Sequence, residues 1–286
     1  MPPLAGTVRF CQMQTLSTAS AKSRRLGIEV HTRTKVVGIE RAGERRLLVH
    51  AETENGGSRS FECEIAVQAA GRIPALAGLD LETGNVATEG TRFRLTPHLQ
   101  STSNPSVYAA GDAANRGPAL TPVASHDAEI VAANLLGSGP PSHVPDYTGV
   151  PSVAFTIPPI TSVGLTEDQA RAKGLAFRVN HQDIADWQVS RHLQEDTAAY
   201  KVLIENSSKR ILGAHLIGPD TEHLINMFAL AIRLGLTATE MDRFMSAFPT
   251  AASNIFHMLD TSEECGPATE PATTRSDREL APATAK

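Results

Sequence analysis

Apolar residues in this chain repeat with two different periods, and the change from one to the other marks its organisation. From Ile28 to Val67 they recur at about every second position, the spacing of strands with one covered face. Ile28, Val30 and Thr32 alternate; Val36, Val37 and Ile39 continue; Leu47 to Ala51 form another run; Phe61, Cys63, Ile65 and Val67 alternate strictly. Asn55-Gly56-Gly57 is a hairpin turn signal between the last two runs. The pattern predicts a three-stranded antiparallel meander that exits through Ala69-Ala70-Gly71-Arg72-Ile73-Pro74, where Pro74 prevents further pairing. Residues 1–26 have no clear period and are expected to be a frayed terminus, with Val8-Arg9-Phe10 as a strand remnant.

The middle of the chain carries less pattern and more chemistry. Residues 76–90 and 96–105 read as loops. Val107-Tyr108-Ala109-Ala110-Gly111-Asp112 reads as a short buried strand ending in a Gly-Asp turn. Thr121 then suits a helix N-cap with Pro122 at the first helical position, and Gly137 closes that helix. Val123, Asp127, Ile130, Val131 and Asn134 share one side of it. A strand end with an exposed carboxylate, facing a helix N-terminus, suits a polyhydroxylated anionic ligand. Asp112 can accept a hydrogen bond from a sugar or ribitol hydroxyl. Free N–H groups around Thr121 to Ala124 can meet a phosphate or an electron-rich ring edge.

Ser138 to Pro145 is a linker by composition. Beyond it the pattern predicts a second α/β unit. Strands are expected at 150–157, 162–165, from Phe177, at 199–204 and at 211–217. Thr166-Glu167-Asp168-Gln169 and Thr237-Ala238-Thr239-Glu240 are capping boxes, the second starting a helix through Met245. Pro219-Asp220-Thr221 caps a long apolar helix that ends at Gly235, and Asn254 to Leu259 makes a last helical turn. The residues after Thr261 read as a disordered tail.

Composition narrows the function. A net charge of −5 over 286 residues suggests neither nucleic acid nor an anionic membrane as a partner. Cys11, Cys63 and Cys265 are too far apart for a CxxC or a metal set, and the ten histidines show no HxH or HxxxH. No signal pattern and no span-length apolar run occurs, so a cytoplasmic location is expected. Ser125-His126-Asp127 are consecutive and point different ways on a helix, which excludes a hydrolase triad.

Four stretches in register resemble the C-terminal part of the pyridine nucleotide–disulfide oxidoreductase superfamily, the group of glutathione reductase, mercuric reductase and dihydrolipoamide dehydrogenase. They are residues 69–74, Thr102 to Asp112, Leu120-Thr121-Pro122-Val123-Ala124, and Pro158 to Glu167. The resemblance implies an α/β (α+β) fold, a partial FAD/NAD(P)-binding region followed by an α+β dimerisation domain. It implies a nucleotide-domain remnant at 1–72, the end of an FAD domain at 73–145, a dimerisation domain at 146–260 and the tail at 261–286. It implies FAD and NAD(P)H as cofactors and a homodimer through 146–260. Carried onto this chain, Asp112 with Gly111 would meet the ribitol of FAD, and Thr121 beside Leu120 would offer its N–H to the flavin pyrimidine edge. Gly71, Ala119 and Val153 would line the nicotinamide side.

The chain also departs from that pattern. No GxGxxG occurs before residue 38, where Gly6 and Gly27 are the only glycines, and there is no CxxxxC. Both phosphate turns and the redox pair are missing, so a truncated chain is expected. Phe248-Pro249-Thr250 stands where the family has a His-Pro pair, and Phe248 cannot move a proton. Ser253 falls at or beside the place of the family Glu, and His257 is out of register as a substitute. The expected function is an FAD-dependent NAD(P)H oxidoreductase without thiol–disulfide chemistry. The alternatives are a non-catalytic dimerisation module and one half of a split flavoenzyme.

Overall fold

The computed structural model describes residues 13–71, 73–114 and 116–259, with side chains from residue 19 onward. The expectations for Val8-Arg9-Phe10, Arg72 and the tail after Thr261 lie outside the described residues.

The N-terminal region differs from the expected frayed end. Helix α1 runs over Met13–Arg25 and lies along a strand of the C-terminal sheet. Lys22 reaches Glu195 at 2.9 Å and Asp196 at 2.8 Å, and Arg25 reaches Asp196 at 3.1 Å. The basic step Lys22 to Arg25 is thus what docks the helix. Long-range charge pairing has no period in sequence, so no pattern pointed to it.

The meander forms as β1 (Thr34–Arg41), β2 (Leu47–Thr53) and β3 (Ser58–Cys63), antiparallel in that order, with the turn at Asn55-Gly56-Gly57. It is shorter than the alternation predicted. Ile28 to His31 and Glu64 to Ala70 form no strand. Ile65 is 76% exposed and Val67 is 85% exposed. Alternation requires a covering layer to be stabilising, and no such layer covers these residues among the described ones. Burying each would add roughly 1.5–3 kcal/mol.

A hairpin of β4 (Thr88–Glu89) and β5 (Arg92–Phe93) precedes helix α2 (Thr121–Leu136). Val123, Asp127 and Asn134 are its buried residues, on the side that the spacing predicts. Ile130 and Val131 pack against a small core of Leu95, Leu99, Ala109 and Ala114. Asn134 Nδ2 donates to His98 O at 3.1 Å and His143 O at 2.9 Å, and its Oδ1 accepts from the Ser142 and His143 N–H groups. The Pro-rich linker is therefore clamped to α2 by one buried amide.

The second unit is a five-stranded antiparallel sheet. Its strands are β6 (Ser152–Ala154), β7 (Ile160–Gly164), β8 (Phe177–Asp183), β9 (Ala199–Glu205) and β10 (Ile211–Ile217), in the spatial order β6-β7-β10-β9-β8. The first strand is shorter than expected, because Phe155 and Ile157 lie outside it and point to solvent. Helix α3 (Glu167–Ala172) has the predicted capping box with both halves made, Thr166 Oγ1 with Gln169 N at 3.2 Å and Gln169 Oε1 with Thr166 N at 2.9 Å. A short α4 (Gln188–His192) had no sequence signal. Helix α5 (Thr221–Leu234) buries Leu224, Ile225, Phe228 and Ala231 against Val163, Val202, Ala214 and Leu216 of the sheet. Its N-cap Asp220 makes no side-chain cap bond, against expectation. Helix α6 (Ala238–Asp242) has the second capping box but ends before Met245, and α7 (Ile255–Met258) closes the core.

His215 sits at the centre of this sheet, 1% exposed, paired across to Lys201 and Ser162. Its Nε2 bonds to Leu165 O at 3.0 Å, and its Nδ1 has no partner among the described residues. Burial lowers its pKa to about 4, the Leu165 bond opposes this, and the nearby Lys201 charge adds to the lowering. The folded chain therefore holds the imidazole neutral at pH values where the unfolded chain protonates it. Stability from this group is complete above the unfolded pKa of about 6.5 and is lost as pH falls toward 4, by roughly 3 kcal/mol in all. Urea unfolding across that window should show the loss, and His215→Met should flatten the slope. An unchanged slope in the variant would contradict the assignment.

Candidate functional site

Residues predicted from the sequence gather at the first turn of α2. Val107 to Ala110 is not a strand. Tyr108 makes only an isolated bridge to Gln100, while Ser101 N bonds to Val107 O at 2.8 Å and Ala109 N to Leu99 O at 3.1 Å. Leu99, on the partner segment, sits at φ 63°, outside the extended region, and the ladder does not continue through it. Gly111–Ala113 then forms one 3-10 turn, with Gly111 at φ 63°. A Cβ on Gly111 would sit 2.9 Å from the Ala124 Cβ of α2, so only glycine allows this approach. Asp112, the next residue, is exposed. Its carboxylate has no hydrogen bond among the described residues, so it is open to a ligand.

The start of α2 also differs in detail from the expectation. Leu120 is the N-cap, Thr121 is the first helical residue, and no side chain caps the end. Val123 and Ala124 both give their N–H groups to Leu120 O, at 3.0 and 3.1 Å. Pro122 has no N–H to give. The Thr121 N–H has no partner among the described residues, and Thr121 is exposed. One open donor therefore stands where several were expected. The Gly111 turn meets the same helix at Ala124, within its first turn. Ala119 is exposed and Leu120 half-buried on the approach.

Two further expected residues come from other parts of the fold. Gly71 lies in the exposed segment after β3 at φ 86°. Val153 lies in β6, half-buried against the core beneath α5. Phe248 is 77% exposed. His257 packs its ring against Trp187, with centroids 5.6 Å apart. Ser253 is buried and donates to Thr250 O at 2.6 Å.

Sequence reasoning missed Asp127 and Tyr147 as site residues. Asp127 is fully buried, and its Oδ2 accepts the Gly111 N–H at 2.9 Å. Its Oδ1 accepts the Tyr147 hydroxyl at 2.8 Å. Burial first, and then the Asp127 bond, push the Tyr147 hydroxyl pKa well above its ordinary value of 10. The signal was available: an aspartate on the apolar side of α2 needs a buried partner. Among the described residues, no group of three or more His, Cys, Asp or Glu gathers as a metal site, and no helix is long and apolar enough to cross a membrane.

An exposed carboxylate on a glycine turn is held against helix α2, and a five-stranded antiparallel sheet follows in the chain. The chain belongs to the pyridine nucleotide–disulfide oxidoreductase family. Residues 7–128 match that family's model, and residues 150–259 match the model of its dimerisation domain. It is 45% identical over 182 residues to an uncharacterized 19.7 kDa protein of a mercuric resistance operon in Staphylococcus aureus, covering 63% of this chain and all of that one. It is 32% identical over 223 residues to mitochondrial dihydrolipoyl dehydrogenase 2 of Arabidopsis thaliana, covering 78% of this chain and 43% of that one. The structure of the HOCl-induced flavoprotein disulfide reductase RclA from Escherichia coli superposes with a TM-score of 0.78 at 23% identity, over 90% of this chain and 57% of that one. The chain thus spans under half the length of the dihydrolipoyl dehydrogenase that it matches.

Gly111→Ala should force the turn away from Ala124 and strain a positive φ. It should cost about 2 kcal/mol or more in chemical denaturation. A cost below about 0.5 kcal/mol would show that the turn is not held as described.

Proposed function

We propose that this chain serves an FAD-dependent NAD(P)H oxidoreductase by holding the ribitol and ring end of the flavin between the Asp112 turn and the N-terminus of α2. The observation that carries this reading is the pairing of an unbonded Asp112 carboxylate with the open Thr121 N–H, fixed by the Gly111 contact with α2. Asp112 accepts a ribitol hydroxyl. The Thr121 N–H donates to the pyrimidine edge, where the positive end of α2 favours negative charge. Gly111 permits close approach, and Leu120 and Ala119 flank the ring. Gly71 and Val153 stand on the nicotinamide side. FAD, when bound, supplies the acceptor for a hydride from NAD(P)H. The chain has no Gly-rich phosphate turn, so its hold on the cofactor is through one end only and is weak. Phe248 has no proton to give, so the electron acceptor is not a disulfide needing a thiolate protonated at that position.

Residues 1–72, 73–145, 146–260 and 261–286 are the working divisions of this reading. A homodimer through 146–260 is supported by the match to a dimerisation domain and by exposed Leu230 and Leu234 on α5. Association with a second, different polypeptide is the other reading. It is favoured by the uncovered Ile28, Val30, Ile65 and Val67.

Titrating the purified chain with FAD and following flavin fluorescence tests the site. Asp112→Ala should weaken binding about tenfold, the loss of one hydrogen bond to a charged group. NAD(P)H oxidation with added FAD and a generic acceptor should fall in parallel. Equal affinity in the variant would remove Asp112 from the site. Light scattering at micromolar concentration should give twice the chain mass of 30.5 kDa. A monomer would remove the homodimer.

A further inference from the structure

We infer that Asp127 and Tyr147 are positioning residues through which helix α5 of the five-stranded unit sets the flavin-facing turn at Gly111 and Asp112. The inference rests on the flavin reading above for its consequence, though not for its geometry. Its anchor is Arg233, near the C-terminus of α5. Arg233 Nη1 donates to Asp146 O at 2.8 Å and to Thr148 O at 3.2 Å, and lies 3.4 Å from Asp146 Oδ2. One side chain thus holds the backbone on both sides of Tyr147. Gly149, at φ 71°, presses directly on the same helix, since a Cβ there would lie 2.7 Å from Ala229 O and 3.2 Å from Arg233 N. On the other flank the Asp146 N–H is 3.1 Å from His126 Nε2 of α2. Residues 146–149 therefore cannot shift without losing several contacts at once.

Tyr147 projects from this fixed segment, and its hydroxyl donates to Asp127 Oδ1 at 2.8 Å. The other oxygen of the same carboxylate receives the Gly111 N–H at 2.9 Å. The chain of contacts is continuous from α5 through Tyr147 and Asp127 to the residue before Asp112. A carboxylate is well suited to this place. It can accept at both oxygens, whereas an apolar residue would fill the space and leave a backbone N–H and a phenol hydroxyl without partners. Asp127 does not reach a ligand. It fixes the residue that carries Asp112. Asparagine can keep both contacts, accepting from Gly111 and donating to the tyrosine oxygen.

The test uses the full chain with Asp127→Leu, Asp127→Asn and Tyr147→Phe, with two independent readouts. The first is affinity for FAD. Asp127→Leu should weaken it about thirtyfold and Tyr147→Phe about fivefold, while Asp127→Asn should stay within about threefold of the parent. The second is amide hydrogen exchange, which needs no flavin. The peptide over residues 109–114 should exchange at least about tenfold faster in Asp127→Leu and measurably faster in Tyr147→Phe, with the β9 and β10 peptides unchanged. Should Asp127→Leu fail to fold, Tyr147→Phe carries the test alone. Parent-like exchange at 109–114 in Tyr147→Phe would overturn the inference, as would flavin binding by the parent that neither Asp127→Leu nor Tyr147→Phe weakens. If the parent binds no flavin but exchange responds as described, the positioning stands and the flavin reading falls.

Discussion

A buried carboxylate can be kept in a protein interior only when its oxygens are satisfied, and Asp127 meets that condition with one partner on each side of the site. Its bond to Gly111 fixes a turn, and its bond to Tyr147 fixes the segment that follows the linker. Leaving either partner unpaired would cost about 1–3 kcal/mol, comparable to losing a core methylene or two. The position of Asp112 relative to the α2 N-terminus follows from that pairing and from the tight contact between Gly111 and Ala124. Asp127 alone among the described side chains is hydrogen-bonded to both Gly111 and Tyr147.

The two parts of the chain are packed to different degrees. The five-stranded unit has a continuous core from Val163 through Phe228 to Leu259. The meander is covered on neither side to a comparable extent, and its apolar edge residues face solvent. An exposed apolar surface of this kind marks a place where something else packs. Exposed Leu230, Leu234, Phe244, Met245 and Phe248 in the five-stranded unit raise the same question at another surface. In the chain the site follows the meander and precedes the five-stranded unit, and the bonds of Asp127 tie it to Tyr147 at the edge of the latter.

Much of this was legible in the sequence, for reasons that can be named. Capping boxes at Thr166 and Thr237 are local, so they were readable and were found. The hairpin over β9 and β10 and the long α5 follow from period and turn chemistry. The strands at Ile28 and Ile65 failed because alternation reports a preference, and the neighbour that would satisfy it is not among the described residues. Helix α1 failed because its docking depends on Lys22 meeting acidic residues far along the chain. Asp112 and Thr121 were singled out by motif, and the structure leaves both exposed. Thr121 proved to be N1 and, among the described residues, the one open donor of that first turn, because Leu120 O takes the Val123 and Ala124 N–H groups. Asp127 was placed on the correct face, but a buried polar residue names no partner by itself.

On the proposed function, this chain grips a flavin by its ribitol and ring end alone. Competition among riboflavin, FAD and ADP for the purified chain measures this directly. Riboflavin and FAD should bind within a few-fold of each other, and ADP should displace neither, because no phosphate turn is present to receive it. Displacement of flavin by ADP, or the absence of any riboflavin binding at millimolar concentration, would contradict the account.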